Sequence, residues 1–271
     1  MIDPTKSLAT LFFRPFAIAL LTAVASACGT HLTPTLVELA GRTVEIVETG
    51  EGPSTVVFES GFGDDWSPWD DVATEVARSA RVFAYSRPGY GASDATTAPR
   101  DATTIVEDLR ALLAARGYGP PYVLVGHSFG GTYMELFAKS YPQEVVGLVL
   151  VDPRHRDFTN ACADAGLRGC TIPDSVVATL PRVQIAEFEA FATATDEIDT
   201  RRFGPAPVRV LTATSHPWSG AVEDLWRAML GALADEAEDG EQVIVVGAGH
   251  YLQTERPRRV AREIVDLLPR Q

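Results

Sequence analysis

The chain has 271 residues, 46% of them hydrophobic, which is enough to bury one large core and favours a single domain with an insertion over two domains. Its formal net charge of −13 argues against nucleic acid as a partner and suits a soluble protein that resists self-association. No repeat, low-complexity tract or heptad run is present.

Taken in order, residues 1–27 read as an export signal. Lys6 and Arg14 supply positive charge, Phe16 to Val24 is an unbroken apolar or small stretch, and Ala25-Ser26-Ala27 is a small-residue cleavage site. A membrane span needs about 20 apolar residues, and Arg14-Pro15 interrupts the run too early. Cys28 follows directly, as in the lipobox of bacterial lipoproteins, although Ala25 stands where leucine is usual. Lipidation at Cys28 and plain cleavage with release both stay open, so the expected location is secreted, periplasmic or membrane-anchored through that cysteine alone.

The remaining 28–271 read as one domain. Thr35 to Val47 alternates around Gly41 and predicts an antiparallel hairpin at a sheet edge. Buried strands follow at Thr55 to Phe58 and Val82 to Tyr85, with amphipathic helices predicted over Asp70 to Ala80 and Thr103 to Arg116. Tyr122 to Val125 is the next strand, a helix covers Thr132 to Ser140, and Val145 to Val151 is a further strand ending in Asp152-Pro153. About 154–207 lack a strand-like run but hold helical stretches such as Pro181 to Thr195, which fits a lid inserted after the sixth strand. The pattern then resumes with Val208 to Leu211, a helix from Ala221 to Leu233, Gln242 to Val246, and a closing helix over Pro257 to Leu268. Alternating strands and helices predict an α/β fold, a mostly parallel sheet with helices on both faces.

Between the fifth strand and its helix lies Gly126-His127-Ser128-Phe129-Gly130. A nucleophile projecting from the top of a sheet needs a sharp turn with small neighbours, and the following helix offers free N–H groups to a developing anion. Cys162 and Cys170, eight residues apart in a loop-rich region without metal-type spacing, are expected to pair as a disulfide if the chain reaches an oxidising compartment.

Four segments together make the chain resemble the α/β-hydrolase superfamily from about Leu36 to Leu268. They are Ser60-Gly61-Phe62-Gly63, Arg87 to Ser93, Gly126 to Gly130, and Gly249-His250. The resemblance implies Ser128 as nucleophile and His250 as general base, with backbone N–H groups of Phe62 and Phe129 forming an oxyanion hole. His-Gly is common at the first loop, and Ser60-Gly61 here leaves a backbone donor undisturbed. His127 would brace the turn, Arg87 to Ser93 would shape a loop, and Trp66 and Trp69 would line the pocket or fill core volume. His155 and His216 fall in the lid or rim, and His31 in the tail.

The acid departs from the superfamily's common position, because Thr212 to Gly220 contains no Asp or Glu. Asp152 is the alternative, set against a role in capping a lid helix or pairing with Arg154 or Arg156; Glu223 and Asp224 follow as runners-up. Serine at the elbow argues against the epoxide-hydrolase and dehalogenase branches, which use aspartate there. The expected function is a serine hydrolase acting on a small-molecule ester or related acyl substrate, without metal or organic cofactor. An acyltransferase on the same residues and a non-catalytic binding protein on the same fold are the alternatives.

Overall fold

The computed structural model describes residues 31–218 and 220–269. The expected signal segment and Cys28 lie outside them. The hairpin forms from β1 (Thr35–Leu39) and β2 (Arg42–Thr49), with Leu39 opposite Arg42. Its two-residue turn, Ala40-Gly41, takes positive φ at both positions, the geometry that matches strand twist and that glycine adopts without strain.

The strands β3 (Thr55–Glu59), β4 (Arg81–Tyr85), β5 (Tyr122–His127), β6 (Val145–Val151), β7 (Val208–Ala213) and β8 (Gly240–Val245) follow the predicted order. The sheet runs β1-β2-β4-β3-β5-β6-β7-β8, parallel from β4 onward, with the hairpin antiparallel at one edge. Helices α1 (Asp70–Val76) and α2 (Ala102–Ala115) flank β4, and α3 (Phe129–Ser140) follows β5. Helix α2 begins at Asp101, whose carboxylate accepts the Thr104 N–H at 2.9 Å, a conventional N-cap.

Consecutive residues of the central strands point to opposite faces, and both faces are covered. Val57 and Leu124 join the core under α2 and α3, together with Leu109, Phe137 and Trp226. Val56, Phe58, Val123 and Val125 join the other, under α1 and the last helix, with Val72 and Ile264.

Between β6 and β7 the insertion holds α4 (Phe158–Asp164), α5 (Asp174–Val177), α6 (Arg182–Phe191) and α7 (Ala194–Ile198). The single helix expected from Pro181 is broken at Ala192-Thr193, where the Thr193 hydroxyl bonds the Ala190 carbonyl and the Glu197 carboxylate. A disulfide joins Cys162 in α4 to Cys170, with Cα atoms 6.3 Å apart. The chain closes with α8 (Gly220–Asp235), α9 (Leu252–Glu255) and α10 (Pro257–Asp266). Helix α1 stops short of its predicted end, as Ala77 to Ala80 close in tight turns before β4.

Sheet order places the site. Strands β4 and β5 lie on opposite sides of β3, so the loops leaving the carboxyl ends of β3 and β5 diverge and open a crevice. Glu59 pairs with Gly126, which sets the loop 60–63 beside the turn at Ser128.

Candidate active site

Ser128 sits between β5 and α3 at φ 51°, ψ −121°, a strained conformation for a residue with a side chain. Its neighbours must be glycine for a steric reason. A Cβ on Gly126 would come within 2.4 Å of the Gly130 carbonyl oxygen, and one on Gly130 within 2.5 Å of the carbonyls of Glu59 and Ser60. The turn is tied to the end of β6: Ser128 N–H donates to the Val151 carbonyl at 3.3 Å, and Arg154 N–H donates to the Ser128 carbonyl at 2.9 Å. Among the described residues, no group accepts from the backbone N–H of Phe62 or Phe129. Their rings lie 5.1 Å apart beside Ser128.

Asp152 directly follows β6, fully buried, also at positive φ. Its Oδ1 accepts the Ala213 N–H and the Trp226 indole N–H, each at 3.0 Å. Its Oδ2 faces His250 Nδ1 and His216 Nε2, each at 2.7 Å. Burial alone would raise this carboxyl, but the hydrogen bonds and charges of His216 and His250 outweigh it and hold the pKa well below the usual carboxylate range. Asp152 neither caps a lid helix nor pairs with Arg154 or Arg156. Those arginines bond Thr159 and Cys170 in one case and Glu135, Asp199 and Glu236 in the other. The runner-up Asp224 is 69% exposed and bonds Arg227. Glu223 meets His216 Nδ1 at 2.9 Å.

His250 lies in the loop between β8 and α9, 30% exposed, and lines the same cavity as Ser128. His127 braces that loop from beneath, donating through Nε2 to the His250 carbonyl at 3.0 Å. Burial, helped by the charge of His250, lowers the His127 pKa to about 3, so this ring stays neutral.

Arg87 supports the crevice without lining it. Its guanidinium donates to the carbonyls of Ser60 and Gly61 at 2.6 and 2.7 Å, and ion-pairs with Glu59 of β3 and Glu187 of lid helix α6. Glu187 also binds Arg100 at 2.6 Å. One buried cation therefore fastens the loop carrying Phe62 to both the sheet and the lid.

The cavity above Ser128 is about 220 Å³. Its aromatic walls come from Phe129 and Phe188 and from Trp218 and Trp226. Trp66 and Trp69 do not line it. Both are buried in the core under α1, where Trp69 packs on Phe58 at 5.0 Å and its indole donates to Ser60 Oγ at 3.1 Å. A larger groove of about 610 Å³ opens near the start of β5, beside Tyr118 and Tyr122, and holds none of the residues above.

The sequence reading missed His216, which it placed at the lid or rim. The ring is 1% exposed, stacked on Trp218 at 4.3 Å and held between Asp152 and Glu223. Burial works against its charge, but both carboxylates outweigh burial and raise its pKa. Asp152, His216 and His250 bring ligand-type atoms within 4.8 Å of one another. Both nitrogens stand at hydrogen-bond distance from one Oδ2, however, and the other oxygen already accepts two N–H bonds, so the cluster reads as proton sharing around a carboxylate rather than as a metal cage.

Comparison with known proteins agrees with this architecture. Uncharacterized protein YqjL of Bacillus subtilis (strain 168) is 26% identical over 222 residues, which cover 80% of this chain and 85% of that protein. Epoxide hydrolase 4 of Mus musculus is 29% identical over 130 residues, but these are 47% of this chain and 36% of that protein. The crystal structure of the epoxide hydrolase VrEH1 from Vigna radiata superposes with a TM-score of 0.65 at 17% identity, covering 87% of this chain and 97% of that one, a likeness of fold. The family model described as "Alpha/beta hydrolase family" matches residues 56–263, and the chain belongs to that family.

Proposed function

We propose that the protein is a serine hydrolase that cleaves a carboxylic ester through an acyl-enzyme, with Ser128 as nucleophile, His250 as general base and acid, and Asp152 as the carboxylate that orients His250. The observation that carries this reading is the Asp152–His250 hydrogen bond of 2.7 Å, made by a loop histidine that shares a cavity with the elbow serine. An ionised Asp152 accepts a hydrogen bond from Nδ1–H and leaves Nε2 free to take the serine proton. The serine oxygen then bonds the ester carbonyl carbon, and the carbonyl oxygen becomes an oxyanion that the unengaged Phe62 and Phe129 N–H groups would receive from the walls of the same cavity. As the intermediate collapses, the protonated His250 gives its proton to the departing alkoxide. Water repeats the sequence on the acyl-enzyme and releases the acid and free Ser128.

Relatives that carry the name epoxide hydrolase raise a second chemistry, and Ser128 weighs against it. A serine oxygen opening an epoxide would form an ether, which water does not cleave under these conditions, so the enzyme would turn over once. An ester intermediate is needed for turnover, and serine yields one only from an acyl substrate. A fluorophosphonate probe and a panel of chromogenic esters of graded chain length test the reading. Labelling and turnover lost together in Ser128→Ala are expected; diol formation from an epoxide with no labelling at Ser128 would reject it. Export, suggested by residues 1–27, is proposed alongside, and the N-terminus of the mature protein, with or without diacylglycerol on Cys28, is its test.

A further inference from the structure

Three arginine side chains near the lid, at most 8% exposed, are each paired with carboxylates. Arg87 is held by Glu59 and Glu187, Arg100 by Glu187, and Arg156 by Glu135, Asp199 and Glu236. Arg154 has no acidic partner among the described residues. Its Nη2 donates to Thr159 Oγ1 at 2.6 Å and to the Cys170 carbonyl at 2.8 Å, and its guanidinium lies 5.0 Å from the centre of the Phe158 ring. Among the described residues Nε and Nη1 have no acceptor, and neither is sealed from solvent. Burial uncompensated by any negative charge lowers its pKa to about 10, which still leaves it cationic at neutral pH. A half-buried cation without a counter-ion keeps guanidinium N–H groups free for an anion.

Its position indicates what that is. The Arg154 backbone is bonded to the Ser128 carbonyl, so the side chain is held at a fixed remove from the nucleophile. It lines the cavity above Ser128 and also a second recess of about 180 Å³, and the two share Phe129, Thr171 and Phe188 as well. The recess is walled by two arginines, by the polar side chains of Thr159, Asn160 and Thr171, and by phenylalanines, with no aspartate or glutamate. Arg156 is already neutralised by its three carboxylates, so the recess carries the single free charge of Arg154. Asp64, the acidic residue on the surface of the main cavity, belongs to the other side, near His127 and Tyr251.

We propose that the recess is a subsite for a carboxylate carried by the substrate, with Arg154 as the residue that recognises it. The site then acts on esters bearing one free acid group a few bonds from the scissile carbonyl. A single free cation matches a carboxylate monoanion better than a phosphate dianion, and the apolar walls accommodate the short chain between acid and ester. This rests on the serine-hydrolase reading and adds the substrate class to it.

The test compares matched esters. Mono-4-nitrophenyl glutarate carries the acid on the acyl side, and 4-acetoxybutanoate carries it on the alcohol side; each is set against its uncharged primary-amide counterpart. In at least one pair the parent should prefer the acid by about tenfold or more in kcat/KM, as for a hydrogen-bonded charge. Arg154→Met should bring that ratio close to one, and Arg154→Lys should retain part of it. Equal rates on acid and amide in both pairs, or a ratio unchanged in Arg154→Met, would overturn the proposal. Amide-ester turnover that Ser128→Ala abolishes shows the hydrolase reading standing even when the preference fails. If no ester is turned over, calorimetric titration of Ser128→Ala with glutarate decides: binding lost in Ser128→Ala/Arg154→Met supports the subsite, and absence of binding refutes it.

Discussion

Replacing Asp152 by asparagine keeps the shape of the side chain and removes its charge, and the surrounding donors dictate the outcome. Ala213 N–H and the Trp226 indole can only donate, and both point at Oδ1. The asparagine carbonyl must therefore take that position, which turns the NH₂ group toward His250 Nδ1 and His216 Nε2. His216 adapts by keeping its proton on Nδ1, toward Glu223. His250 adapts only by moving its proton to Nε2, and a protonated Nε2 cannot accept the serine proton. The fold should survive, because the two bonds at Oδ1 are kept and the two histidine contacts are remade with reversed polarity. Turnover should fall by about 10⁴, the loss known for this replacement in Ser-His-Asp sites, or about 5 kcal/mol of barrier. Initial rates on a short chromogenic ester, with circular dichroism and thermal melting on the same samples, measure both. A folded Asp152→Asn protein within tenfold of the parent would refute the assignment, most clearly if Asp224→Asn were inactive instead.

Further expectations follow from the supporting contacts. Arg87→Met leaves buried Glu59 without a cation and Glu187 with Arg100 alone, and should cost about 3 to 5 kcal/mol in denaturant unfolding; a loss below about 1 kcal/mol would mean that the clamp is not what fastens lid to loop. Burial, then the charge of Arg156, lowers the His155 pKa to about 4, below its unfolded value of about 6.5. Between these values the unfolded chain binds more protons, so stability should rise with pH across that window by up to about 3 kcal/mol. His155→Gln should flatten the rise, and an unchanged slope in its pH-dependent melting would contradict the assignment. Cys162→Ser/Cys170→Ser should lose about 2 to 3 kcal/mol for a loop of this size. It should also loosen the Cys170 carbonyl that anchors Arg154, raising KM for the acid-bearing ester more than for its amide; equal changes in both would separate the disulfide from the subsite.

Local patterns in the sequence were enough to reach the sheet and the three residues proposed for catalysis. Val145 to Val151 is an apolar run that ends abruptly at Asp152, and His250 follows the last strand after a glycine, so each is marked by a neighbouring element. What stayed hidden depends on contacts between distant segments. His216 lies 64 residues from Asp152, and nothing in Ser215-His216-Pro217 says that the ring turns inward to stack on Trp218. Arg87 and Glu187 are 100 residues apart, so a glycine-rich loop and a lid helix gave no sign of their shared ion pair. The tryptophans show the same limit. Trp66 and Trp69 sit in a loop that leaves the active edge, yet the start of α1 tucks them under the sheet, while Trp218 and Trp226 reach the cavity from beyond β7. An aromatic residue is recognisable as apolar wherever it falls, but which surface it covers is settled by packing.

The central claim is that Ser128 carries the acyl group, and trapping that intermediate tests it most directly. The protein should be mixed with excess 4-nitrophenyl acetate, quenched in acid within one turnover, digested, and examined by mass spectrometry. The expected result is one acetyl group on the peptide containing Ser128, absent in Ser128→Ala and accumulating in Asp152→Asn if deacylation is slowed more than acylation. Rapid ester turnover with Ser128 unmodified, or turnover surviving in Ser128→Ala, would contradict the claim.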